Sequence, residues 1–134
     1  MTGLTAMLLY AAWMPLLTIV YAGYRIPLVL TMTKRADAWT RGNTTDDPAF
    51  IVRAHHAHLN CVENFPVFAA VVIAAALMRK SPIVDQYAAI VLYARIGQSV
   101  VHMIGTSFAL VLIRATLFLV QIVLILYMIW GLLH

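Results

Sequence analysis

Four long apolar stretches separated by short polar breaks run through the chain. Residues 4–24 carry no charge, and the apolar run continues to about residue 32. A membrane-spanning helix needs about 20 mainly apolar residues, so this stretch predicts a first span over 4–32. Pro15 and Pro27 fall inside it, and packed bundles tolerate proline in spanning helices. A polar segment, 33–47, follows with Lys34, Arg35, Asp37, Arg41 and the turn-prone pair Gly42-Asn43. Asp46-Asp47-Pro48 reads as a helix opening, with an acid at the N-cap and proline in the first turn.

The second predicted helix, 48–78, changes character halfway. Its first half holds Arg53, His55, His56, His58, Asn60 and Glu63, whereas 65–77 is apolar. The apolar half is too short to cross a bilayer alone, so part of the polar half must lie at membrane depth or just above it. Arg79-Lys80-Ser81-Pro82 predicts a tight basic turn. The third helix is predicted over 83–105, interrupted by Asp85, Arg95, Gln98 and His102. Gly105-Thr106-Ser107 gives a short turn, and the fourth helix is predicted over 110–133, with Arg114 near its start.

Composition strengthens this picture. Hydrophobic residues make up 63% of the 134 and charged residues 10%. A soluble domain carries about 25% charged residues, so lipid must cover much of this surface. The expected fold is all-α: one domain forming an integral membrane four-helix bundle with antiparallel neighbours. The formal charge of +4, nine basic against five acidic residues, is too small and scattered for nucleic-acid binding. The basic residues 34, 35, 41, 53 and 114 instead favour a cytoplasmic long loop with both termini outside. No cleavable signal peptide is expected, because the N-terminus lacks a basic n-region. Cys61 is the single cysteine, which excludes a disulfide within the chain.

The polar residues of the spans form stripes, because positions three and four apart share a helix face. Arg53, His56, Asn60 and Glu63 form one stripe; His55 and His58 fall on roughly the opposite side. Arg95, Gln98 (or Ser99) and His102 share a face of the third helix, and Arg114, Phe118 and Gln121 one of the fourth. A charge at the bilayer centre costs on the order of 2.5–3.5 kcal/mol, so such groups face a bundle interior or a cavity and find partners. Glu63 is the only acid in the interior stretch. The implied site is cationic and suits an anionic ligand carrying several carboxylates.

Plainer roles compete with this reading. Arg53 and Arg114 can snorkel to the head groups. Glu63 can pair with Arg95 as structural glue. His55 and His58 have no third ligand nearby, so no metal site is assigned. Cys61 reads as a packed thiol, and Trp13, Trp39 and Trp130 as interfacial anchors. His56 and His102 could ligate a haem iron between adjacent helices, although histidine in a membrane helix more often serves as an ordinary polar contact.

The second-helix segment Arg53-Ala54-His55-His56-Ala57-His58-Leu59-Asn60-Cys61-Val62-Glu63-Asn64-Phe65-Pro66 resembles the signature of the membrane-associated proteins in eicosanoid and glutathione metabolism. Arg53, Ala57, His58, Asn60, Glu63 and Pro66 match it, and His56 stands where the family usually has arginine. The continuation Pro66-Val67-Phe68-Ala69-Ala70 looks like bacterial members. Tyr93-Ala94-Arg95 and Leu112-Ile113-Arg114-Ala115 resemble the family's third- and fourth-helix arginines. The resemblance covers most of the chain.

It implies a homotrimer in the lipid bilayer, in a bacterium its inner membrane. Glutathione would be bound between subunits as thiol co-substrate, and a lipophilic small molecule would enter from the bilayer. The residues implied to hold glutathione are Arg53, His56, Asn60, Glu63, Arg95, Gln98, His102 and Gln121, with Arg114 as the catalytic thiolate stabiliser. The chain departs from the family pattern beside the thiol. Ala115 follows Arg114, Phe118 stands where tyrosine is frequent, Gln98 replaces a common histidine and His102 a common tyrosine. Two readings stay open: a glutathione-dependent transferase or peroxidase, and a non-catalytic accessory or assembly subunit of a larger membrane complex.

Overall fold

The computed structural model describes residues 1–35, 37–39 and 46–134; Arg41 and Gly42-Asn43 lie outside the described residues. Those residues form four α-helices: α1 Gly3–Leu30, α2 Ala49–Leu77, α3 Ser81–Ile104 and α4 Phe108–Leu133. All four are long and apolar enough to cross a membrane. The short connections at 78–80 and 105–107 make α2, α3 and α4 successive antiparallel neighbours. The third helix is central and packs on the other three, whereas α1 and α4 do not touch among the described residues.

Helix ends follow local chemistry. The Thr2 hydroxyl caps α1 by accepting from the Thr5 amide at 3.1 Å, and Ser107 does the same for Leu110 on α4. The C-termini of α1 and α2 close with the same pair of reversed bonds. Thr33 and Lys80 amides reach back to Leu28 and Ala75, and Met32 and Arg79 to Val29 and Ala76. That closure needs one left-handed residue, and here it falls on Met32 (φ 59°) and Arg79 (φ 58°).

The expected acid cap of α2 is a correction. Pro48 occupies the N-cap and no side chain caps the helix. The two carboxylates bind the other end of the loop instead: Asp46 pairs with Lys34, and Asp47 accepts from Arg25 Nε at 2.9 Å and Trp39 Nε1 at 3.0 Å. The Arg25 guanidinium lies over the Tyr21 and Trp39 rings, 5.3 Å from each centroid. Trp39 is thus tied into a polar cluster as well as standing at the helix ends.

The opposite end of the bundle has its own ties. Asp85 Oδ1 on α3 accepts the Gly3 amide at 2.6 Å, placing a carboxylate at the positive end of α1. A side chain at position 3 would meet Val84 Cγ1 at 2.9 Å, so glycine is what permits this approach. Lys80 Nζ donates to the Leu132 carbonyl at 3.0 Å and fastens the end of α4.

Apolar packing fills the space between. Tyr10, Leu17, Phe68, Ala88, Val91, Leu92 and Met128 are buried together. On α4 only Gln121, Ile125, Met128 and Leu132 are buried, a four-three-four stripe turned to α3. Much of the remaining surface of α4 is exposed and apolar, including Leu119, Val123, Leu126 and Trp130, as lipid contact requires.

Candidate functional site

The polar half of α2, the last turns of α3 and the start of α4 meet at the loop end of the bundle. Antiparallel register brings them there. Residues 53–60 run down from the start of α2, 95–102 run up α3, and 111–118 start down α4. An open cavity of about 220 Å³ lies among them, lined by Asn60, Gln98, Val111, Arg114, Ala115 and Phe118.

Arg53 is half-buried, and its Nε donates to the Met103 carbonyl at 2.9 Å. It therefore clamps α2 to the end of α3 and satisfies a carbonyl the helix end leaves open. The α3 stripe is buried throughout: Arg95, Gln98, Ser99 and His102. Gln98 Oε1 accepts from Gln121 Nε2 at 2.9 Å, while the same nitrogen donates to the Leu117 carbonyl at 3.0 Å. Gln121 thus sits behind Gln98 and fixes it, rather than lining the cavity. The His56 ring is exposed and lies 6.3 Å, centroid to centroid, from the buried His102 ring. Arg53, His56 and Arg114 all act on His102 electrostatically.

Two predicted site residues lie elsewhere. Glu63 is exposed on the outer side of α2 and forms no ion pair among the described residues. The alternative of a Glu63–Arg95 pair as structural glue is therefore not met among the described residues. Arg95 is 1% exposed and points toward α1, its guanidinium 5.8 Å from the Tyr10 ring centroid. The geometric cause is that residue 63 follows the exposed flank of α2, whereas Arg95 lies where α3 faces α1 and α2. Cys61 is a packed thiol, its Sγ 3.3 Å from Ser99 Oγ.

His55 and His58 lie off the His56–Asn60 face, as their spacing implied, and the side they occupy faces α1. His58 Nδ1 lies 3.2 Å from Thr18 Oγ1 and 3.1 Å from the Met14 carbonyl, and His55 packs on Tyr21. Among the described residues no group of three or more metal-ligating side chains occurs. Sequence reasoning missed Tyr10, whose hydroxyl donates to the Cys61 carbonyl at 3.0 Å beneath the arginine. A tyrosine within an apolar run whose hydroxyl must find a partner was the available signal.

Among the described residues no carboxylate pairs with Arg53, Arg95 or Arg114. The cavity is thus a cationic, amide-lined cleft with one apolar wall made by Val111, Ala115 and Phe118. This architecture defines the chain as a multi-pass membrane protein whose spans enclose an anion-attracting cleft open to their flank. The sequence pattern of the MAPEG family matches residues 3–134, nearly the whole chain, and the chain belongs to that family. Comparison with curated proteins and with solved structures gave no match.

Proposed function

We propose that the chain is a membrane-bound glutathione-dependent transferase or peroxidase acting on a lipophilic electrophile, with the tripeptide held between copies in a homotrimer. The observation that carries this reading is the cleft itself: fixed positive charge without a carboxylate partner, two amides, and an apolar wall continuous with the lipid-facing surface of α4. Glutathione carries two carboxylates and one ammonium. Arg53 and Arg114 suit the carboxylates or the thiolate, and Asn60 and Gln98 suit peptide groups. Glu63, exposed on the outer flank of α2, suits an ammonium or a neighbouring copy's cation. An exposed carboxylate in a spanning helix needs such a partner, which supports assembly. In the conjugation step the sulfur lone pair forms a bond to the electrophilic carbon, and the thiol proton must already have left.

Arg114 is the proposed thiolate stabiliser, because it lines the cavity and a guanidinium keeps its charge. The test is a pH titration of thiolate absorbance at saturating glutathione in detergent-purified protein. Arg114→Leu should raise the pKa of the bound thiol by about 1–3, the usual effect of losing an opposite charge within ~4–6 Å. Arg53→Ala should weaken binding with a smaller change in that titration. An unchanged titration for Arg114→Leu refutes the assignment, and no binding at millimolar glutathione refutes the function.

A second reading, a non-catalytic accessory subunit, is favoured by one feature. Ala115 and Phe118 line the cleft and offer no hydroxyl beside a thiol. Purification of a stable, isolated homotrimer with turnover would dismiss it.

A further inference from the structure

Thiolate chemistry in this cleft needs a group to receive the thiol proton, and most of its residues cannot. Arginine does not give up its own proton and accepts none, which removes Arg53 and Arg114. The Asn60 and Gln98 amides are not bases at neutral pH. Two imidazoles remain near the cleft, neither of them lining the cavity itself: His102, one turn beyond Gln98 on α3, and His56 on α2. His102 is 8% exposed, and its Nδ1 is buried with no hydrogen-bond partner among the described residues. A buried polar atom left unpaired is costly, so a partner from outside the chain is the expected remedy. His102 also lies in the last turn of α3, where the helix carbonyl end favours a positive ring. The other ring, His56, is exposed and 6.3 Å away.

The charged and titratable groups acting on His102 come from α2, namely Arg53 and His56, and from α4, namely Arg114; α1 supplies none among the described residues. The two guanidiniums give the empty cleft a fixed positive charge. Glutathione, with two carboxylates against one ammonium, offsets part of that positive charge on entering. We infer that His102 takes the proton of the bound thiol and that His56 connects it to the membrane surface. This inference rests on the proposed use of glutathione and names the proton acceptor that reading lacks.

The step balances without another reagent. The S–H bond breaks with its electron pair left on sulfur, and an N–H bond forms on the imidazole. Thiolate and imidazolium appear together, held beside Arg114, and no proton enters bulk water. When the thiolate adds to an activated alkene, the imidazolium proton replaces the one needed at the neighbouring carbon. When a leaving group departs as an anion, the proton leaves through His56. Glu63 is not the acceptor, because it lies exposed on the outer flank of α2 and does not line the cavity.

The test counts protons against thiolates. Detergent-purified protein is titrated with glutathione calorimetrically near neutral pH in buffers of different ionisation enthalpy, and thiolate is measured by ultraviolet difference absorbance. The wild-type protein should form thiolate while releasing close to no proton. His102→Gln should release a full proton for every thiolate that still forms, or lose the thiolate while keeping glutathione. His56→Gln should keep the wild-type count but show a slower rise of thiolate after rapid mixing. Wild-type release of a full proton per thiolate, or binding with the thiol still protonated, overturns the inference while leaving glutathione use standing. That count decides the matter even where a variant does not fold. Absence of any binding heat overturns the glutathione reading, and this inference with it.

Discussion

The Gln98–Gln121 pair offers the most direct test of how the cleft is held. Gln121→Leu removes the amide that donates to Gln98 Oε1 at 2.9 Å. The Leu117 carbonyl, its second acceptor, keeps its place in the α4 ladder and loses little. Gln98 is 4% exposed and Gln121 2%, so no water replaces the lost partner. Interhelical side-chain hydrogen bonds in membrane bundles contribute about 0.6 kcal/mol on average and about 1.7 at most. A stranded buried amide adds part of its desolvation cost, about 1–3 kcal/mol. Gln121→Leu should therefore destabilise by about 1–2 kcal/mol, and Gln98→Leu by a similar amount. The double Leu variant leaves no stranded partner and packs apolar side chains between α3 and α4. It should lie well above the sum of the single losses, with a coupling of about 1 kcal/mol or more. Reversible unfolding in mixed micelles by increasing anionic detergent gives each value. Losses that add within ~0.3–0.5 kcal/mol would show that the two amides act independently, and Gln121 would lose its role as the support behind Gln98.

Three further outcomes follow from backbone and loop geometry. Met32→Gly and Arg79→Gly should each stabilise by about 0.5–1 kcal/mol, because glycine relieves the left-handed strain at both positions; a loss of stability in either, measured by the same unfolding, contradicts the closure described. Gly3→Ala should destabilise and free the amide from Asp85, since the added methyl would stand 2.9 Å from Val84 Cγ1; amide exchange at Gly3 no faster than in the wild type would refute this. The Lys34 ammonium beside Asp46, through its hydrogen bond and its charge, holds that carboxyl below the ordinary 3.8. A depressed folded-state pKa means the contact's contribution is present above 3.8 and disappears as pH falls through the lower folded value. Carboxyl-carbon NMR should place the Asp46 midpoint below 3.8 and return it there in Lys34→Ala.

What was legible in the sequence divides along physical lines. Four uncharged or nearly uncharged stretches dictate four spanning helices, because backbone groups in lipid must be satisfied within the segment. Helical spacing likewise separated the His56–Asn60 face from His55 and His58, which turn to Thr18 and Tyr21 on α1. Spacing on a single helix says nothing about which neighbour a stripe meets. Glu63 shares a face with Asn60, yet it lies on the outer flank, while Arg95 turns inward to Tyr10. The Asp46-Asp47-Pro48 opening failed for another reason. Cations at Lys34 and Arg25, brought close by the fold, outcompete the open amides of α2 for those carboxylates. Tyr10 and Gln121 were visible as polar residues in apolar runs, but their partners belong to other helices.

The burial of Arg95 adds to the positive charge that the proposed function assigns to the bundle. Its Nε has no hydrogen-bond partner among the described residues, and the side chain is almost fully enclosed. A well-packed hydrophobe of similar size would commonly be neutral or stabilising at such a site. The guanidinium cannot neutralise itself by losing its proton. What tempers its burial is the Tyr10 ring face on one side and the Cys61 thiol on another. Tyr10 is in turn fixed by its bond to the Cys61 carbonyl and by its packing on Phe65 and Phe68. The charge is therefore held by α1 and α2 but belongs to α3, one turn from Gln98. In a medium of low dielectric its field reaches several ångströms with little screening. In the proposed function, contact with a ligand falls to Arg114 on α4 and to Arg53 and Asn60 on α2. On that reading Arg95 adds attraction without touching the ligand, and α1, which lends no residue to the cleft, closes the side where that charge would otherwise meet lipid.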